Sequence, residues 1–373
     1  MTDTVGLYLH IPFCRKKCAY CDFCSYVGRE SDMSAYVDRM IAEMQTKPCD
    51  RTVDTVYFGG GTPSLLPARE LSRLMEAIGH SYTVSENAEI TCEVNPCTAD
   101  REKLAALRMV GINRISIGVQ SLSDRALRAL SRVHTAAEAV AAYHTAREVG
   151  FRNISLDLML GLPGETEDEL CETVRGFIEL APEHISAYAL MVEDGTPLAS
   201  SPLRALIPDE DTAADAMEHV STMLAEAGYY RYEISNYART GYESRHNLAY
   251  WRRREYIGLG VAAYSYLNGE RYGAPRDLDG YLAGKTLPKV DCETLDPKGR
   301  EAEHVMLSLR LAEGINRAAY IAEHGRDPHP LFAPVTSRYP EAFTVTDTAI
   351  ALTMRGMSVS NTLIAEMLLL LDS

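Results

Sequence analysis

Short apolar runs alternate with amphipathic segments along the first half of the chain. Strand-like runs stand at residues 5–11 (VGLYLHI), 52–60 (TVDTVYFGG), 88–96 (AEITCEVNP), 114–120 (RISIGVQ), 153–163 (NISLDLMLGLP) and 184–192 (HISAYALMV). Each of the first five is followed by a helical pattern. Over 33–44, for example, Met33, Tyr36, Val37, Met40, Ile41 and Met44 share one face. Thr135 with Glu138, and Thr166 with Glu169, have the spacing of capping boxes, and Gly150 and Gly228 stand where helices should stop. Strands recurring at roughly 30-residue intervals are repeated βα units with a parallel sheet. The expected class is therefore α/β, a partial (β/α)6 or fuller barrel with ligands gathered at the carboxyl ends of its strands. From about residue 295 the pattern changes. Residues 301–316 read as an amphipathic helix, 343–356 as two strands with a turn, and 360–371 as a closing helix. The expected division is a barrel core at 1–200, an extension at 201–290 and an α+β appendage at 291–373.

Composition narrows the function. In 373 residues, 37 basic against 52 acidic side chains leave a net charge of −15. Nucleic acid and anionic membrane surfaces favour basic patches, so neither is expected as a partner. No apolar run approaches the ~20 residues of a membrane span. The opening residues, MTDTVGLYLHIPF, lack a basic region followed by a long apolar stretch, so a secretory signal is not expected. The expected compartment is the cytoplasm, where thiols stay reduced.

Nine cysteines then need an account. Cys49, Cys92, Cys97, Cys171 and Cys292 are scattered and read as small buried apolar residues. Cys14, Cys18, Cys21 and Cys24 are clustered, and clustered thiols in a reducing compartment point to metal. C-x3-C-x2-C supplies three thiolates with no second pair downstream to complete a zinc site. Three thiolates suit a [4Fe–4S] cluster with one iron left open. Cys24 as a fourth ligand would close that cluster, and a four-thiol zinc knuckle is a further alternative.

Polar residues at the strand ends add a pocket. YFGGGTPS (57–64) ends the second run with three glycines, which would let backbone N–H groups approach a charged ligand. Glu93 and Asn95, Gln120, and Asp157 close the third, fourth and fifth. Polar side chains on apolar strands are costly unless paired or wet, and several at matching positions read as a pocket lining.

HIPFC-x3-C-x2-C, GGGTPS, EVNP, GVQS and DLMLGLPGET, in that order, resemble the radical S-adenosylmethionine proteins related to oxygen-independent coproporphyrinogen III oxidase. The resemblance covers essentially the whole chain. It implies that Cys14, Cys18 and Cys21 hold a [4Fe–4S] cluster whose open iron is chelated by S-adenosylmethionine. Tyr8, Tyr20, Gly60, Gly61, Thr62, Glu93, Gln120, Arg132, Asp157 and Met191 match the positions of that cofactor's pocket. Enzymes of this family have a fourth cysteine two residues after the third; here that position is Phe23 and Cys24 lies one place too far. They also carry a long segment before the motif, where this chain has 13 residues. CAYCDF, YEISNYA (232–238) and ESRHNLAYW (243–251) instead resemble the family's heme-chaperone branch. Its H-N-x-x-Y-W motif falls on His246, Asn247, Tyr250 and Trp251, the chain's single tryptophan.

The resemblance implies a chaperone that binds a [4Fe–4S] cluster, S-adenosylmethionine and heme, with His246 as the heme ligand and a winged-helix-like tail. Its expected partners are an electron donor and client heme proteins, respiratory and membrane-associated ones included. The alternatives are oxidative decarboxylation of coproporphyrinogen III, which the missing cysteine counts against, and radical methyl transfer. His10 is left as a structural group or a support to the cluster loop.

Overall fold

The computed structural model describes residues 4–285 and 287–372. Six strands, β1 (Thr4–Ile11), β2 (Thr52–Gly60), β3 (Val84–Val94), β4 (Arg114–Gln120), β5 (Ile154–Leu160) and β6 (His184–Ala189), pair in sequence order, every pair parallel. Helices cross between them at Met33–Thr46, Ala68–Ser81, Arg101–Met109, Ala136–Glu148 and Glu167–Leu180. This is the expected partial (β/α)6 arrangement. Both capping boxes form, at Thr135 and Thr166, and Gly150 and Gly228 follow helix ends with φ of 98° and 84°.

The last two strands stop earlier than their apolar runs. β5 ends before Gly161, at φ 69°, and Pro163, which turn the chain off the sheet edge. β3 starts four residues ahead of its apolar run. Alternation explains the core. In β1, Val5, Leu7, Leu9 and Ile11 are fully buried and pack with Val37, Met40, Val56 and Phe58.

The sheet runs on past both edges. β7 (Tyr230–Arg231) and β8 (Asn236–Ala238) extend it antiparallel beyond β6. β9 (Tyr256–Leu259) lies parallel to β1, and β10 (Tyr264–Leu267), β11 (Glu270–Gly273) and β12 (Val290–Thr294) follow antiparallel. The order β12-β11-β10-β9-β1-β2-β3-β4-β5-β6-β8-β7 does not close on itself. These short extension strands carry too little apolar alternation to be read from sequence.

The C-terminal segment has its own core, in which Val305, Tyr320, Phe332, Ile350 and Met367 are buried together. Its order is helix (Pro297–Ser308), β13 (Ile315–Asn316), helices (Arg317–His324 and Pro328–Thr336), then β14 (Phe343–Val345) and β15 (Ala349–Leu352), with β13-β15-β14 antiparallel. That is the strand and helix order of a winged helix. The expected helix over 301–316 ends at Ser308, because the chain turns through Gly314 at φ 63° into β13. Of the scattered cysteines, Cys92 and Cys171 are buried as expected, while Cys49 and Cys97 are half-buried and Cys292 is exposed on edge strand β12.

Candidate functional site

A cleft of 690 Å³ is lined by the ends of β2 to β6 and the loop after β1. Cys14, Cys18, Cys21, Tyr20, Gly60, Gly61, Thr62, Glu93, Gln120, Arg132, Asp157 and Met191 all line it. Cys24 does not. It is buried on the other side of the loop, its Sγ 3.7 Å from the Tyr26 hydroxyl and its carbonyl bonded to His10 Nε2 at 2.8 Å. His10 therefore supports the loop from behind.

The thiols of Cys14 and Cys21 are held up chiefly by burial, and each also feels the negative charge of Cys18. Arg132 places Nη1 3.5 Å from Cys18 Sγ and donates through Nη2 to the Gly118 carbonyl at 2.6 Å. Among the described residues, the three sulfurs do not converge as the donors of one bound ion would. They suit a larger group spread among them. The donor set thus fits an iron–sulfur cluster better than a zinc ion.

The glycine run works differently from the expected nest of free amides. Gly60 N–H donates to Glu93 Oε2 at 3.1 Å, Gly61 N–H to the Ile11 carbonyl at 2.9 Å, and Thr62 N–H to the Phe13 carbonyl at 2.9 Å. The glycines are there for close approach. A Cβ on Gly61 would sit 2.8 Å from the Phe13 carbonyl and 3.0 Å from Cys14 Sγ. The loop after β2 is thereby stitched to the cysteine loop.

Alternation along the strands sets the floor of the cleft. On β4, Arg114, Ser116, Gly118 and Gln120 line it while Ile115, Ile117 and Val119 are buried in the core behind. Gln120 takes φ 70° at a register shift, and its Oε1 accepts from the Tyr188 hydroxyl at 2.9 Å. Arg114, Ser116, Ser186 and Tyr188 line the cleft and were not read from sequence, and Asn247, read there as part of the H-N-x-x-Y-W motif, lines it too. The period-2 order of RISIGVQ was a signal that could have found the first two. Arg114 is only 2% exposed. Asp157 Oδ1 accepts from Ser116 at 2.9 Å, and Glu93 Oε1 from the Tyr57 hydroxyl at 3.0 Å.

Two residues sit elsewhere than the cleft. Tyr8 lines an adjacent cavity of 490 Å³ and stacks on Tyr57 at 6.2 Å. His246 lines neither space. It lies on the helix Arg245–Trp251, capped by Ser244 and by Glu89, whose carboxylate accepts from the amides of Arg245 and His246. Its Nδ1 is hydrogen-bonded to Thr55 Oγ1 and its Nε2 to the Tyr250 hydroxyl, both at 2.8 Å. Burial, and then Arg254, push its pKa down to about 3, so the ring is neutral. In this arrangement both nitrogens are taken, and ligation of a metal requires Tyr250 or Thr55 to let go.

Fold and cleft together define a class, the radical SAM superfamily, whose family model matches residues 8–176. Within it the chain belongs to the HemW heme-chaperone family. It is 39% identical to heme chaperone HemW of Mycobacterium tuberculosis over 83% of this chain and 82% of that one. It is 34% identical to the HemW of Bacillus subtilis over 95% and 96%, and 37% identical to that of Escherichia coli over 86% of each. Its fold is similar to coproporphyrinogen III oxidase (HemN) from Escherichia coli, with a TM-score of 0.83 at 23% identity, covering 99% of this chain and 90% of that one.

The cleft's two carboxyls carry a pH prediction. Burial, and then the charge of Asp157, push Glu93 up to about 7, and burial pushes Asp157 up to about 6. Only the ionised forms attract a cationic ligand such as the sulfonium of S-adenosylmethionine. Affinity for it should rise from pH 5.5 to 7.5 and then level off, and Glu93→Gln should flatten the upper part of that rise. The folded carboxyls bind more protons than unfolded ones, so the stability of the ligand-free protein should fall over the same interval. Anaerobic equilibrium dialysis against pH reads the first effect; an affinity independent of pH would refute it.

Proposed function

We propose that the chain binds heme and passes it to client heme proteins, with Cys14, Cys18 and Cys21 holding a [4Fe–4S] cluster in the cleft. That cluster would supply an iron with an open position, to which S-adenosylmethionine binds. Tyr20, Gly60, Gly61, Thr62, Glu93, Gln120, Arg132, Asp157 and Met191 would surround that cofactor, with Tyr8 behind Tyr57. Glu93 and Asp157 offer carboxylates to its cationic and hydroxyl groups, and Tyr20 and Tyr188 offer aromatic surface. An electron donor to the cluster belongs to the same reading.

The observation that carries the heme reading is the 490 Å³ cavity beside the cleft, walled by Tyr250 and Trp251 of the H-N-x-x-Y-W motif. Tyr256, Tyr264 and Tyr266 add flat apolar surface, and Arg253, Arg254, Arg271 and Arg276 add positive charge. A planar macrocycle carrying carboxylates needs both. Three of these arginines are already engaged, Arg253 with Glu323, Arg254 with Asp54 and Arg271 with Glu303. Arg276 has Asp22 at 3.7 Å and is 63% exposed, which leaves it free to turn to a propionate. His246 stands behind Tyr250, and a turn of that tyrosine would uncover Nε2 of a neutral imidazole, the form that ligates iron.

Anaerobic gel filtration of the cluster-containing protein with heme tests this reading, for wild type, His246→Ala and Tyr250→Phe. Wild type should retain heme and His246→Ala should lose it. Tyr250→Phe, which frees Nε2 without removing the wall, should retain it at least as well. Coproporphyrinogen III should pass unchanged; its conversion by wild type would make the chain an enzyme of the coproporphyrinogen type and overturn the proposal.

A further inference from the structure

We propose that His304, Glu323 and His324 form a binding site for a divalent transition-metal ion, separate from the cleft and its thiols. The three come from two helices of the C-terminal unit. His304 lies on Pro297–Ser308, and Glu323 and His324 end Arg317–His324, which Gly325 stops at φ 72°. His304 Nδ1 is 2.9 Å from His324 Nε2 and 3.3 Å from Glu323 Oε2, and His324 Nε2 is 3.9 Å from that same oxygen. Among the described residues, this is the one group of such donors that converges on a point.

Both rings are packed in place. Their side chains are 7% and 6% exposed, and each lies against the ring of Tyr320, at 5.3 and 4.7 Å between centroids. Tyr320 is itself fully buried and its hydroxyl donates to Glu301 at 2.5 Å. Burial also disfavours protonation of both imidazoles, so each offers a lone pair or an exchangeable N–H at the shared point.

In the metal-free protein one ring donates its N–H to the other. An ion replaces that proton. At metal–nitrogen distances of ~2.0–2.1 Å, nitrogens this far apart subtend about 90° at the metal. That angle suits a five- or six-coordinate ion held by two histidines and one carboxylate, with its other positions on water. Arg253 opposes it. Its guanidinium binds both oxygens of Glu323 at 2.7 Å, so the ion must share or displace that cation. The site is therefore expected to be weak in the wild type and limited by Arg253, which can swing into the cavity it also lines.

This opposition makes the test sharp. Crystals of the cluster-containing protein soaked in Ni2+ should show an anomalous peak, at the nickel edge, within bonding distance of His304 Nδ1 and His324 Nε2. In solution, Ni2+ titration should show that site lost in His304→Gln and weakened in Glu323→Gln, which keeps the shape of the carboxylate, each by on the order of tenfold or more. Arg253→Gln should bind Ni2+ at this site more tightly than wild type. No peak between the two rings, or an Arg253→Gln variant that binds no tighter, would overturn the proposal. A hydrogen-bonded histidine pair with only a structural role predicts both of those results.

Discussion

Cys18→Ser should leave the protein almost without iron after anaerobic reconstitution, while Cys24→Ser keeps its full complement. The two residues lie six positions apart in the same loop, and the structure separates them completely. Cys18 lines the cleft with Cys14 and Cys21, and Arg132 stands 3.5 Å from its sulfur. A serine there offers a hydroxyl that stays protonated at neutral pH and does not replace a thiolate toward iron. Cys24 lines the neighbouring cavity, 8% exposed, where it contacts the Tyr26 hydroxyl. Its substitution trades one small buried group for another and should lower stability by only about 1 kcal/mol. Iron and sulfide content of the two variants decides the matter. Iron lost from Cys24→Ser would mean that the cluster is closed by a fourth thiolate and has no open iron.

Gly61→Ala should cost the protein most of its S-adenosylmethionine binding with the fold intact. The added methyl would press on the Phe13 and Ile11 carbonyls and on Cys14 Sγ, at 2.8 to 3.0 Å. The first two are backbone atoms in a stitched region, since Gly61 and Thr62 donate to those same carbonyls. Neither loop can give without moving the other. Overpacking of this kind costs about 1–3 kcal/mol. Relieved by shifting the cysteine loop, it should weaken the cofactor roughly five- to a hundredfold. The strain falls at the carboxyl ends of β1 and β2 and leaves the rest of their buried length in place, so the thermal unfolding midpoint should move little. Anaerobic binding titration beside a melting curve separates the two quantities. Unchanged affinity would show that the glycine is there for the turn alone.

The cleft was largely legible in the chain because its residues sit at the ends of strands that announce themselves. Cys14, Gly61, Glu93 and Gln120 each follow or close an apolar run, and parallel βα topology brings such ends to one side; Asp157, expected to close the fifth run, lies inside β5, three residues before its end. Arg114 and Ser116 were missed because they lie earlier on β4, where a polar residue in an apolar run reads as an exception rather than a wall. His246 shows the opposite limit. Its motif picked out the right helix, but whether an imidazole faces a cavity or a core depends on what packs over it. Here Thr55 and Tyr250 hold both nitrogens. The cavity behind the motif drew Tyr256, Tyr264, Tyr266 and Arg271 from β9 to β11, strands too short to carry a pattern, and Arg253, Arg254 and Arg276 from the turns that flank them.

By itself the sequence determined the features that local periodicity and short spacing encode. The six parallel strands, the capped helices between them, the three-thiol loop and the family resemblance all rest on residues within a few positions of one another. Tertiary structure alone decided what depends on distant parts of the chain meeting. It turned Cys24 away from Cys14, Cys18 and Cys21, spent the glycine amides on Glu93 and the end of β1, and set an aromatic, arginine-lined cavity against the cleft. It also brought His304 beside His324 from separate helices. Contacts of that kind are fixed by how whole elements pack, and packing is a property of the folded chain's surfaces rather than of any segment of it.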